Sequence, residues 1–178
     1  MAERDIVVNG GSDNARTLAS GDRPAKLMWP FYADTDTDLQ PSGTTLETLL
    51  TLEFPAETLN ANHIRIVGDF EATFSNATRR RHQISFNSTL ILDFDTSDAN
   101  NTASALQVKV IRESSSVVKC IGIASYTGTI TTGCPQFTRI TGLDLVNNDY
   151  NLTYAIRNYT TASDSVLRSY AVYLQPGP

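Results

Sequence analysis

Few residues in this chain have the chemistry for catalysis or tight ligand binding. A general base needs a group that titrates near neutrality, which histidine does most readily, and the chain has only His63 and His82. His82 follows Arg79-Arg80-Arg81, whose charge disfavours a protonated ring, and both histidines read as solvated surface residues. No Gly-x-Ser-x-Gly elbow, phosphate-binding glycine loop or His-Glu-x-x-His pair occurs. The expectation is a chain that is not an enzyme, with no catalytic residue and no cofactor.

The acidic clusters carry little more. Asp34-Thr35-Asp36-Thr37-Asp38 imitates the start of a calcium loop, but Leu39 stands where such a loop needs glycine and Thr45 where it needs glutamate; no metal is expected. Asp93, Asp95 and Asp98 form the other acidic cluster; a carboxylate pair such as Asp93 and Asp95 could serve glycoside hydrolysis, but carboxylates on a turn, with no substrate placed near them, read as a solvated cluster. Arg79, Arg80 and Arg81, on an acidic protein with no interleaved aromatics, read as rim contacts to an acidic partner surface. Tyr126, Phe137, Tyr150, Tyr154, Tyr159, Tyr170 and Tyr173 are the aromatics that could line a sugar-binding patch. Tyr150 and Tyr159, near turns, are the glycan contacts of an alternative reading. Cys120 and Cys134 are too few for a disulfide scaffold or a four-ligand zinc site, though they could pair with each other.

The elements that must position these residues follow from composition and period. The 178 residues include 22 threonines, 15 serines and 12 asparagines, more than a quarter of the chain, while charged residues make up 19%. That balance suits strands with polar outer faces and Asn-rich turns rather than helices. The net charge of −5 repels a phosphate backbone at long range, so no nucleic-acid partner is expected. No apolar run reaches the length of a membrane span, so no membrane partner is expected either, and the polar start Met1-Ala2-Glu3-Arg4-Asp5 is unlike a secretory leader.

From residue 44 the period is two. Leu50, Leu52 and Phe54 alternate with polar residues until Pro55. Ile64, Ile66, Gly68, Phe70, Ala72 and Phe74 then form the clearest alternation in the chain. Shorter runs follow at 82–86, 89–94, 106–110, 117–124, 152–156 and 170–174. Roughly eight strands without a helix predict an all-β, antiparallel β-sandwich of jelly-roll type over residues 44–178. Residues 1–43, rich in Gly and Pro and without a period, read as an extended N-terminal docking arm. In it Ile6, Val7 and Val8 could add an edge strand to a partner, and Trp29, Phe31 and Tyr32 could fill a partner's pocket or pack on the chain's own domain.

The text Leu52-Glu53-Phe54-Pro55-Ala56-Glu57-Thr58-Leu59-Asn60-Ala61-Asn62, followed by Ile64-Arg65-Ile66 and Gly68-Asp69-Phe70, resembles a jelly-roll module of tailed-bacteriophage structural proteins. That module recurs in capsid decoration proteins and tail-fibre tips. The resemblance spans about residues 44–175. It implies a non-enzymatic virion component on the capsid exterior, made in the host cytoplasm, that assembles as a homotrimer; a dimer stays open beside what the resemblance implies. Its expected role is a capsid decoration (cement) protein gripping the major capsid protein. The alternative is a tail-fibre or tail-tip module recognising a host glycan.

Overall fold

A computed structural model describes residues 31–59, 63–74, 79–96, 103–126, 129–130, 135–161 and 164–176. The described elements are the strands β1 (Tyr32–Asp34), β2 (Glu47–Phe54), β3 (His63–Phe74), β4 (Arg80–Phe86), β5 (Thr89–Thr96), β6 (Ala103–Ser114), β7 (Val117–Tyr126), β8 (Thr129–Ile130), β9 (Gln136–Ile140), β10 (Tyr150–Asn158) and β11 (Ser165–Pro176). All pair antiparallel in two sheets. The small sheet runs β2-β10-β4-β5; the large one runs β1-β11-β3-β6-β7-β8, with β9 also on β7. Leaving out the β7–β9 insertion, eight strands divide four and four between the two sheets, the chain changing sheet at every step except the β4–β5 hairpin, and the last two, β10 and β11, each sit between strands from the first half. This is the double Greek key of a jelly roll, as the alternating sequence predicts.

Alternation builds the core. Ile66, Phe70, Ala72 and Phe74 of β3 face inward, as do Leu106, Val108 and Val110 of β6, Ile84 and Phe86 of β4, and Leu152, Tyr154 and Ile156 of β10, each under a tenth exposed. Stacked rings run through it: Phe31 on Phe54, Phe54 on Tyr150, and Phe70 on Tyr154. The β4–β5 hairpin turns on Asn87 and Ser88, both at positive φ (47° and 66°), which matches a two-residue turn whose twist suits the strands.

Two features close the sandwich along β5. Gly122 on β7 lies so near the small sheet that an added Cβ would fall 2.6 Å from the Ile91 carbonyl oxygen and 2.8 Å from Leu92 Cβ. Beside it the Gln136 amide accepts from the Asp93 N–H at 2.8 Å and donates to the Asp93 carbonyl at 2.6 Å. A side chain thereby satisfies backbone groups on an edge strand, groups that otherwise invite another chain.

Residues 31–43, placed in the arm by sequence, contribute an edge to the large sheet. β1 pairs with β11, and Leu39 bridges Leu167. Sequence misses β1, β8 and β9 because runs of three, two and five residues are too short to show a period.

Candidate functional site

Pleating decides where the arginine run goes. Successive residues of a strand point to opposite faces, so Arg79 and Arg81 lie outside the small sheet while Arg80 turns into the core. Arg81 pairs with Asp93, and Arg79 with Asp95 through Nε and Nη2, both at 3.0 Å. The hydrogen bond from Arg81 holds the Asp93 carboxyl below its ordinary range and raises the Arg81 guanidinium. Arg79 and Arg157 both lie over the Tyr159 ring, 4.6 and 4.3 Å from its centre, and the Tyr159 hydroxyl donates to Asp95 at 3.3 Å. Arg79 and Arg81 are thus engaged on the sheet's own carboxylates, and Tyr159 already has guanidiniums over its ring.

Arg80 corrects the rim reading outright. It is fully buried, with its guanidinium 3.8 Å over the centre of the Phe74 ring. His82, two residues on and so on the same face, is also fully buried and corrects the expectation of a solvated histidine. Its Nδ1 lies 2.7 Å from the Tyr154 hydroxyl, and Phe74, Phe94 and Tyr154 surround its ring. Burial, reinforced by the Arg80 charge, pushes its pKa down to about 3. The ring is therefore neutral throughout the physiological range and serves as a core residue. The His63 side chain lies outside the described residues.

The aromatic assignments shift as well. Tyr150 is 4% exposed and its hydroxyl accepts the Leu59 N–H at 2.6 Å, so it is a core ring and not a glycan contact; burial raises its pKa to about 12. Phe31 and Tyr32 pack on Phe54 of their own sandwich, and the Tyr32 hydroxyl donates to the Glu53 carbonyl. Both belong to the internal alternative rather than to a partner's pocket. Ile6, Val7, Val8 and Trp29 lie outside the described residues, as does Asp98. Cys120 is a buried free thiol whose pKa burial raises to about 12, and Cys134 also lies outside. Among the described residues no group of three His, Cys, Asp or Glu could hold a metal. Asp38 of the acidic run pairs with Arg168.

The surface left for function is the outer face of the large sheet. Strand register sets its rows. One runs Tyr173, Val67, Lys109, Ile121, Phe137 across β11, β3, β6, β7 and β9. Phe137 is 72% exposed, the most exposed of the large apolar residues described. Beside it Glu113 pairs with Lys119 at 2.6 Å and Arg139 at 2.7 Å. Sequence brings Phe137 forward only as one aromatic among seven; its exposure depends on β9, which leaves no periodic signal. At the other end of this face lies a groove of about 580 Å3, with Asp69, Glu71 and Gln107 in its lining.

No family model matches the chain, and no curated protein matches it. Among solved structures it is similar to an engineered GH43 glycoside hydrolase with endo-xylanase and exo-arabinofuranosidase activity (8% identity, TM-score 0.38, 79% of this chain and 41% of that one). It is also similar to the C-terminal domain of EclA, a sugar-binding protein (10% identity, TM-score 0.33, 90% and 92%), and to infectious bursal disease virus VP2 (16% identity, TM-score 0.31, 98% and 47%). The chain spans less than half the length of the hydrolase and VP2 chains. At these TM-scores no site or substrate carries over from any of them. The expectation that the chain is not an enzyme is nonetheless corrected: a glycoside hydrolase stands among its structural matches. The scarcity of histidine is no ground for exclusion, because glycoside hydrolysis runs on carboxylates.

Proposed function

We propose that this chain is a virion structural protein, a decoration protein that adheres to the outer surface of a tailed-phage capsid through the outer face of its large sheet. The observation that carries the reading is Phe137, 72% exposed and paired in register with Ile121, beside the charged Lys119–Glu113–Arg139 group. An aromatic anchor bordered by a polar rim is the anatomy of a protein interface, where a few buried aromatics dominate the energy. The jelly-roll topology and the phage-like text at residues 52–70 support the virion setting. Self-association as a trimer or dimer, and anchoring by residues 1–30, complete the proposal.

The test is retention on purified heads of the encoding phage, read by gel densitometry. The intact chain should co-sediment at fixed stoichiometry. Phe137→Asp should weaken retention at least tenfold, since losing a hot-spot aromatic costs about 2 kcal/mol or more, and its thermal midpoint should hold because the side chain is exposed. Unchanged stoichiometry for Phe137→Asp, or no retention of the intact chain, would overturn the reading.

A further inference from the structure

We infer that the groove on the outer face of the large sheet is a binding site for a neutral saccharide, a site beyond the adhesion role of Phe137. The groove, about 580 Å3, is of the size that holds small ligands. Asp69 and Glu71 stand two residues apart on β3, about 7 Å along the strand. Each is held through one carboxylate oxygen: Gln107 Nε2 donates to Asp69 Oδ1 at 2.7 Å, and Ser169 Oγ donates to Glu71 Oε2 at 3.2 Å. Asp69 Oδ2 and Glu71 Oε1 accept no hydrogen bond from the described residues. Two oriented acceptors therefore remain for a ligand with O–H donors.

The rest of the lining selects the ligand class. No lysine, arginine or histidine lines the groove, so a sulfated or sialylated ligand meets only negative charge. The Gln107 amide and the Ser169 hydroxyl both donate and accept, so a hydroxyl-bearing ligand can use both capacities, whereas an ammonium group, a donor only, can use just the accepting one. Ala105 sits in register beside Glu71, and Ala171 beside Asp69. Their methyl side chains leave room for a flat ring and offer apolar surface to its C–H face. A polyol ring with hydroxyls on its edge meets all three requirements.

The experiment uses the full chain on an array of neutral, sialylated and sulfated oligosaccharides, followed by calorimetry with the strongest neutral oligosaccharide and with oligolysine, each at low and high salt. Saturable binding to a neutral oligosaccharide is expected, with affinity unchanged by salt. Ala105→Trp, at an exposed position, should fill the groove and abolish binding without moving the thermal midpoint. Asp69→Asn should weaken it about tenfold, the loss of a charge-assisted hydrogen bond, and Phe137→Asp should leave it unchanged. Silence from all neutral glycans, binding untouched by Ala105→Trp, or binding confined to oligolysine and lost in salt would each overturn the inference, the last by assigning the groove to a basic peptide.

Discussion

At the scale of single residues, the strand pleat does more than residue type to decide role. Arg80 and His82 are polar and adjacent to two outward-facing arginines, yet both are core residues because their positions share a parity with Ile84 and Phe86. The buried imidazole makes stability depend on pH in one direction. Its folded pKa, about 3, lies below the unfolded value of about 6.5. The unfolded chain therefore takes up the proton first on acidification. The stabilising contribution is fully present above about pH 6.5 and drains away as the pH falls toward 3, at a limiting slope of about 1.4 kcal/mol per pH unit. Urea unfolding between pH 7 and 4 should show this slope, and His82→Gln, which does not titrate, should reduce it by up to that amount. An unchanged slope in the variant would mean that acid sensitivity arises elsewhere. The carboxylates Asp93 and Glu113, held below their ordinary range by hydrogen bonds from Arg81 and Lys119, add a loss of the same sign at lower pH, which is common to both proteins and drops out of the comparison.

At the scale of elements, eight of the described strands are legible in sequence because half-buried strands alternate, and β3 writes that alternation over twelve residues. What hides is anything whose meaning depends on a partner strand. β9 reads Gln136-Phe137-Thr138-Arg139-Ile140, too short to declare itself, yet it sets both the exposed Phe137 and the Gln136 amide that closes the β5 edge. Gly122 likewise looks like a weak point in a strand until the opposing sheet is in place. Its hydrogen is all that fits against Ile91 and Leu92, so Gly122→Ala forces the sheets apart and should cost about 1–3 kcal/mol, read as a lower denaturant midpoint at constant m-value. Gln136→Ala should cost about 1–3 kcal/mol by leaving the Asp93 N–H and carbonyl without their partner. Gln136→Glu should recover little of this, since a carboxylate cannot donate to the carbonyl; full stability in Gln136→Glu would show that the accepting half of the contact suffices. The groove was illegible for a related reason: Asp69, Glu71, Gln107 and Ser169 come from three strands and meet only through register.

At the scale of the whole molecule, the proposed anchor and the proposed saccharide groove occupy the same outer face, and their spacing couples them. Ala105 lies four residues from Lys109, the row of Phe137, or about 13 Å along the strand, and two strands across from β9, about 10 Å; the two features are therefore roughly 16 Å apart. An interface of ordinary size covers about 800 Å2 on each partner, a disc of roughly that radius. A capsid docked around Phe137 thus reaches the groove, and one face cannot serve both ligands at once. Saturating neutral oligosaccharide should accordingly release the protein from purified heads, with half-release near the dissociation constant measured by calorimetry when head sites are dilute. Ala105→Trp should be retained on heads but become insensitive to the sugar. If the sugar binds the intact chain and retention stays constant at saturation, the capsid footprint lies elsewhere, and the small sheet or the N-terminal segment becomes the surface that adheres.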